Sequence, residues 1–261
     1  MRKFLFIILS AICLTIPLQS VAQIAIVTVY QCAPCGCDSD HEHFDQPGKC
    51  PSCGMKLEAV TEPSKALRNL KEPMNVAILL YYHAQVLDYA GPYDVFTSAG
   101  ENFNVYTVAE TLEPVITMPN LTVIPQYEIS NAPAPDIIII PGGMWNTINE
   151  QTQYWIMQNS EPADHVFSVC TGAFILAEAD MLNGLEATTH RAGLDLLQSK
   201  YPTINVQDKV RFVDNGKVIT SAGVSAGIDA SLHLISKILG VGWAEAVARN
   251  LEYNYVPAST N

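Results

Sequence analysis

Basic residues are scarce in this chain. Its 261 residues hold 14 Lys and Arg against 26 Asp and Glu, a formal charge of −12, so there is no positive surface to track phosphates, and nucleic acid is excluded as a partner. Charged residues of both signs reach only 15%, while 49% are hydrophobic, which excludes a disordered chain and leaves enough apolar material for one sizeable core plus a small extra module. There is no internal repeat and no low-complexity tract. The one long apolar run, Phe4 to Leu18, is short for a membrane span.

That run follows Met1-Arg-Lys and precedes Ser20-Val-Ala22, the positive, apolar and small-residue regions of a secretory signal peptide. We expect residues 1–22 to be cleaved after Ala22, an exported, periplasmic or extracellular protein, and no stable membrane anchor thereafter. Loss of Arg2 and Lys3 takes the mature charge from −12 to −14. Ile12 stands where a lipoprotein signal needs a small residue before Cys13, so lipidation is not expected.

Residues 23–58 form a Cys-rich module. Cys32-x-x-Cys35 and Cys50-x-x-Cys53 are two knuckles, each presenting two thiolates in a tight turn, and the pair completes a tetrahedron around one metal ion. Disulfides are the alternative in an oxidising compartment. Cys37, His41 and His43 lie between the knuckles. Thiolate donors favour zinc or copper(I). From Ala59 to Pro73 the chain is polar and bounded by prolines, as an exposed linker would be, so the two modules are expected to be loosely coupled.

From 74 to 257, strand-like and helix-like runs alternate. Such alternation predicts an α/β, flavodoxin-like fold, a mainly parallel sheet with helices on both faces and a site outside the carboxyl ends of the strands. The strands are expected at Asn75–Tyr82, Phe103–Ala109, Leu121–Tyr127 and Asp136–Pro141, with helices near Pro92–Ala99, Asn149–Gln158, Arg191–Lys200, Ser225–Leu239 and Gly242–Leu251. Lys209 to Thr220 reads as a hairpin around Asn215-Gly216 at a sheet edge.

The centre of the domain is Phe167-Ser-Val-Cys170-Thr171-Gly172-Ala-Phe, an apolar strand that ends in a thiol and passes directly into a helical run. A thiol at such a nucleophile elbow meets the positive end of a helix, which favours thiolate. The alternative is a small buried hydrophobe. Asp136-Ile-Ile-Ile-Ile-Pro141-Gly142-Gly143 ends in a loop whose amides can approach a reacting group, half of an oxyanion hole. Asp88 precedes Gly91-Pro92 and is either an acid–base group or a helix cap. His190 reads as structural, and His83, His165 and His233 have no matched partner.

With Leu-Asp88-x-x-Gly-Pro-x-Asp-Val-Phe, Pro-Gly142-Gly143, Ser-Val-Cys170-Thr171-Gly-Ala, Ala-Thr-Thr-His190, Ala-Gly227-Ile-Asp229 and Leu-Glu252-Tyr in order, the domain resembles the ThiJ/PfpI superfamily of class I glutamine-amidotransferase-like folds. Within it the chain is similar to the isonitrile hydratase and AraC-associated subgroup. That resemblance implies a cysteine nucleophile, an aspartate and the following threonine, which fall on Cys170, Asp88 and Thr171, with a small-molecule substrate, no cofactor at this site and a homodimer as the assembly to expect. It also implies two other outcomes for the fold, a ligand-sensing domain and a glyoxalase or deglycase-like enzyme. Peptidase-like members carry histidine directly after the cysteine, where this chain has Thr171, so peptidase activity is not expected. Pro47 to Met55 further resembles the later half of a heavy-metal-binding domain, whose early half has histidine where Cys35 stands.

Overall fold

The structure, a computed structural model, describes residues 26–32, 43–44, 46–63, 70 and 72–257. The expected signal segment, Cys35, Cys37 and His41 lie outside the described residues, and His43 is described only as part of a strand.

The large domain is built on seven strands, β1 (Met74–Leu79), β2 (Phe103–Ala109), β3 (Tyr127–Glu128), β4 (Ile137–Ile140), β5 (His165–Val169), β6 (Phe212–Asp214) and β7 (Val218–Ser221). They form one sheet in the order β6-β7-β5-β4-β1-β2-β3. All neighbours are parallel except the edge hairpin β6–β7. The interior strands β4 and β5 are almost continuously apolar because helices cover both faces of a parallel sheet, and Ile137 to Ile140 are fully buried. Six helices complete the domain: α1 (Val86–Ser98), α2 (Glu150–Ser160), α3 (Gly172–Glu178), α4 (Leu194–Lys200), α5 (Ala226–Leu239) and α6 (Val241–Asn250).

From β1 the chain winds outward through β2 to β3, then returns to the other side of β1 and winds through β4 and β5 to β7. The reversal makes a crevice at the carboxyl ends of β1 and β4, where a doubly wound fold places its ligand.

Several boundaries differ from the sequence reading. α1 starts at Val86, well ahead of Pro92, so Asp88 lies inside its first turn and the proline sits within the helix. The elbow helix α3 stops at Glu178, short of Gly184, and the expected strand Leu121–Tyr127 is instead a small hairpin of Val115–Thr117 with Leu121–Val123 followed by β3. Arg191–Gly193 is a single 3₁₀ turn ahead of α4.

In the amino-terminal module, Ile26–Gln31 pairs antiparallel with His43–Phe44 on one side and Glu58–Pro63 on the other. The last strand occupies the first residues assigned to the linker, because its register lets it pair along the whole of Ile26–Gln31. It also runs against α6, so the two modules touch where the sequence reading had them only tethered. Among the described residues, no helix is long and apolar enough to cross a membrane.

Candidate active site

Cys170 stands between β5 and α3 with φ 58°, a left-handed conformation that is costly for a residue with a side chain and is typical of a strained, functional turn. Several bonds hold it there. Its N–H donates to the Ser221 carbonyl (3.1 Å), and its own carbonyl accepts from the buried Thr189 hydroxyl (2.7 Å). Gly172 follows because a Cβ at that position would lie 2.3 Å from the Ile140 carbonyl oxygen.

Asp88 reaches the same place from α1 and is fully buried. It caps nothing on its own helix. The Gly142 N–H donates to its Oδ2 (3.0 Å), and Oδ1 has no hydrogen-bond partner. A buried carboxylate oxygen without a partner is expensive, and its survival here marks a working group. Burial above all raises the Asp88 carboxyl to about 6, against the Gly142, Cys170 and Val224 donors that favour its charge.

The thiol differs from the sequence expectation. Burial first, and the Asp88 carboxylate second, push Cys170 up to about 12, overriding the Thr171 and Val224 N–H groups that favour the thiolate. The short α3 cannot offset the exclusion of water, with Cys170 only 7% exposed. Near neutral pH the pair therefore holds one proton, resting on sulfur, with an ionised carboxylate facing it. Tyr81 lies beside both; burial and these two groups raise its phenol well above the usual range, and its hydroxyl donates to the Pro141 carbonyl (2.9 Å).

The expected oxyanion donors are already in use. The Gly142 N–H serves Asp88, and the Gly143 N–H donates to the Thr171 hydroxyl (2.8 Å), which in turn donates to the Gly143 carbonyl (3.0 Å). Thr171 thus ties the glycine loop to the elbow instead of reaching for substrate or water, leaving its N–H as its contribution to the sulfur. Both glycines are required. A Cβ at 142 would lie 2.6 Å from the Thr171 nitrogen, and at Gly143 (φ 132°) 2.1 Å from the His83 carbonyl oxygen.

The other histidines stay apart from the pair. His190 accepts from the Ala192 N–H (3.2 Å) and packs against Gly223, while Asp229 is engaged by Arg211 and Tyr253, so the structural reading of His190 holds. His83 has its Nδ1 3.0 Å from the Met144 sulfur at the rim of the glycine loop. The group that sequence reasoning missed is Val224, whose backbone N–H acts on both Cys170 and Asp88. No side-chain pattern betrays a backbone donor.

A cavity of about 260 Å³ opens nearby at the carboxyl ends of β1 and β2, lined by Tyr81, Tyr82, Ile116 and Thr152 among others, but neither Cys170 nor Asp88 lines it.

In the amino-terminal module the sulfurs of Cys32, Cys50 and Cys53 lie within 4.8 Å of one another, Cys32 and Cys53 at 3.3 Å. The Gly54 N–H donates to the Cys50 carbonyl and the Cys50 N–H to the Met55 carbonyl, folding the knuckle, while Gly54 takes φ 75°. The Cys53 N–H above all lowers the Cys50 thiol to about 6. Three convergent thiols, with no disulfide among them, fit a soft metal ion, and the fourth ligand named from the sequence, Cys35, lies outside the described residues.

Comparison with known proteins agrees with both modules. Residues 29–60 match the heavy metal binding domain. The isonitrile hydratase of Pseudomonas putida is 37% identical over 188 residues, which cover 70% of this chain and 80% of that protein. The HTH-type transcriptional regulator GbdR of Pseudomonas aeruginosa is 23% identical over 71% of this chain, which spans about half (52%) of that regulator. A ThiJ/PfpI family protein from Pseudomonas syringae superposes with TM-score 0.64 at 28% identity, covering 72% of this chain and 78% of that one, and Drosophila melanogaster DJ-1beta with 0.62 at 18%, covering 70% of this chain and all of its own. An elbow cysteine facing a buried aspartate at the switch point of a doubly wound sheet, together with a family match over residues 74–237, places this chain in the DJ-1/PfpI family.

Proposed function

We propose that this protein is an exported, cysteine-dependent enzyme that hydrates isonitriles to N-substituted formamides, with an attached module that holds zinc or copper(I). The observation that carries the reading is the single proton shared by Cys170 and Asp88, with Asp88 Oδ2 anchored and Oδ1 left without a partner. Similarity to an isonitrile hydratase over most of both chains supports the choice of substrate.

The anchored carboxylate sets the direction of proton traffic. As Cys170 sulfur bonds to the terminal isonitrile carbon, its proton passes to Asp88 and from there to the same carbon, giving a thioimidate. Asp88, ionised again, takes a proton from water as the water oxygen attacks that carbon, and gives it to nitrogen. Collapse to the carbonyl breaks the carbon–sulfur bond, and the hydroxyl proton returns through Asp88 to sulfur. One water is consumed. The carbon-bound hydrogen comes from the thiol, and water supplies the oxygen, the N–H and the renewed S–H.

One observation favours a second reading, a ligand-sensing role: the thiol is held neutral, as a binding pocket would tolerate, and a transcriptional regulator is among the relatives. Turnover decides. The mature protein should convert a small alkyl isonitrile to its formamide, and Cys170→Ala should abolish this. Failure of the wild type on isonitriles would overturn the proposal, and turnover of α-oxoaldehydes in its place would assign a glyoxalase-like reaction.

A further inference from the structure

The amides that the sequence offers as anion donors, Gly142 and Gly143, are spent on Asp88 and Thr171. The site nonetheless handles an ionised sulfur twice in the proposed sequence, on attack and on departure, so a donor must come from elsewhere. Val224 has φ 55°, which for a β-branched residue is a true outlier. It sits in Gly223-Val224-Ser225, the passage from β7 to α5, and this passage is fastened to the elbow at several points. The Cys170 N–H donates to the carbonyls of Ser221 and Ala222, just ahead of the passage. Behind it, a Cβ on Gly227 would lie 2.9 Å from Val169, and a Cβ on Gly223 would lie 2.3 Å from the His190 ring. The backbone on both sides of Val224 is thus pressed against the strand that carries the nucleophile. The Gly227 N–H donates back to the Val224 carbonyl (3.2 Å), so the strained residue opens α5 with its own N–H turned away from the helix ladder.

We infer that the strained Val224 backbone N–H, shared by the Cys170 sulfur and the unpartnered Asp88 oxygen, is the donor that holds the site's negative charge as it passes between them. The inference rests on the proposed chemistry but predicts more than it. A single donor felt by both members of a proton-sharing pair stabilises whichever is ionised, and so smooths the transfer from sulfur to carboxylate. The strain keeps it there. In an ordinary right-handed or extended conformation at 224 the N–H would point elsewhere, and the surrounding contacts, not Val224 itself, impose the left-handed one.

The test replaces the Gly223–Val224 amide by an ester, with the α-hydroxy acid of valine at position 224, which removes the N–H and keeps the side chain. Two readouts are taken: the rate of Cys170 alkylation by iodoacetamide at pH 9, which follows the thiolate fraction, and isonitrile turnover. The other charged or titratable groups around the passage are Asp88 and Tyr81 at the pair, His190 against Gly223, and Arg211, whose guanidinium donates to Ser225 (3.2 Å); each stays in place in the ester variant. We expect alkylation to slow about tenfold and turnover to fall by about 10²–10³, the usual worth of one such donor. Unchanged alkylation in a folded ester variant overturns the inference. Val224→Gly is the second arm: relief of strain should raise Tm while alkylation slows, because the N–H is no longer pinned, whereas a higher Tm with unchanged alkylation would show that the strain serves no donor and would equally overturn it. Alkylation needs no substrate, so a wild type inactive on isonitriles would fell the hydratase reading and still leave the N–H judged.

Discussion

Asp88 shows how a single residue can serve function against stability. Its carboxyl is raised from the ordinary range to about 6, so the folded state binds the proton more tightly than the unfolded chain does. The stability linked to that proton is fully present below the unfolded pKa, about 3.9, and is lost as pH rises through about 6. At neutral pH the buried charge costs on the order of 3 kcal/mol, at about 1.4 kcal/mol per pKa unit. Asp88→Asn should therefore melt higher than wild type at pH 7.5, with the gap closing toward pH 4, while turnover falls by about 10²–10⁴, the worth of a positioned acid–base group. Wild-type turnover should climb with pH through about 6, as the carboxylate becomes free to accept the sulfur's proton. Calorimetry and a pH–rate profile on both proteins check these outcomes together. A variant that melts lower at pH 7.5 would show that the carboxylate holds the fold together.

At the scale of elements, the edge hairpin β6–β7 is fastened by one carboxylate. Asp214 accepts from the Gly216 N–H (2.7 Å) within the Asn215-Gly216 turn, from Lys237 (3.0 Å) and from His233 Nε2 (2.8 Å), both on α5. Burial alone would raise its carboxyl, but His233 and Lys237 outweigh burial and hold it well below the usual range. Its contribution is present above the unfolded pKa and is lost as pH falls below it. Asp214→Asn should cost about 1.5–3 kcal/mol near neutral pH, as hydrogen bonds to a charged group do, and the difference should shrink toward pH 2. Urea titrations at the two pH values measure it. The hairpin, its Asn-Gly turn and its place at the sheet edge were legible in the sequence, but His233 read as partnerless because its partner lies 19 residues away on another element. The same division runs through the active site. Cys170, Asp88 and the glycine loop announce themselves as side-chain types at strand ends. The state of the thiol did not, because it depends on how much water the folded crevice excludes, and the true employment of the Gly142 and Gly143 amides emerged only from three-dimensional distances. α1 was placed too late because Pro92 reads as a helix start, whereas burial of the Tyr89, Val95 and Phe96 face carries the helix through it.

For the whole molecule, the question is how far the two modules act as one. The amino-terminal module has a meagre core of Cys32, Cys50 and Leu57, flanked by Tyr30 and Phe44, so a bound ion must supply most of its folding free energy. Chelation should abolish hydrogen-exchange protection over residues 26–63 and leave the seven-stranded sheet protected. Because Glu58–Pro63 runs against α6, protection in Val241–Asn250 should loosen in parallel, an effect that a free linker would not transmit. Exchange measured before and after chelation, with isonitrile turnover alongside, reads all three. Activity lost in step with the metal would tie the module to the chemistry.

The order of the large sheet carries one more consequence. Its most apolar strand, Ile137–Ile140, lies at the centre, while the strands at the two margins are three and two residues long. A margin so short offers little template for another chain, so the folded protein is shielded from strand-to-strand aggregation. The hazard is confined to the moments when the chain is open. A four-isoleucine run without a charge is the kind of segment that seeds cross-β assembly, so this protein should stay dispersed when native and precipitate readily from its unfolded state.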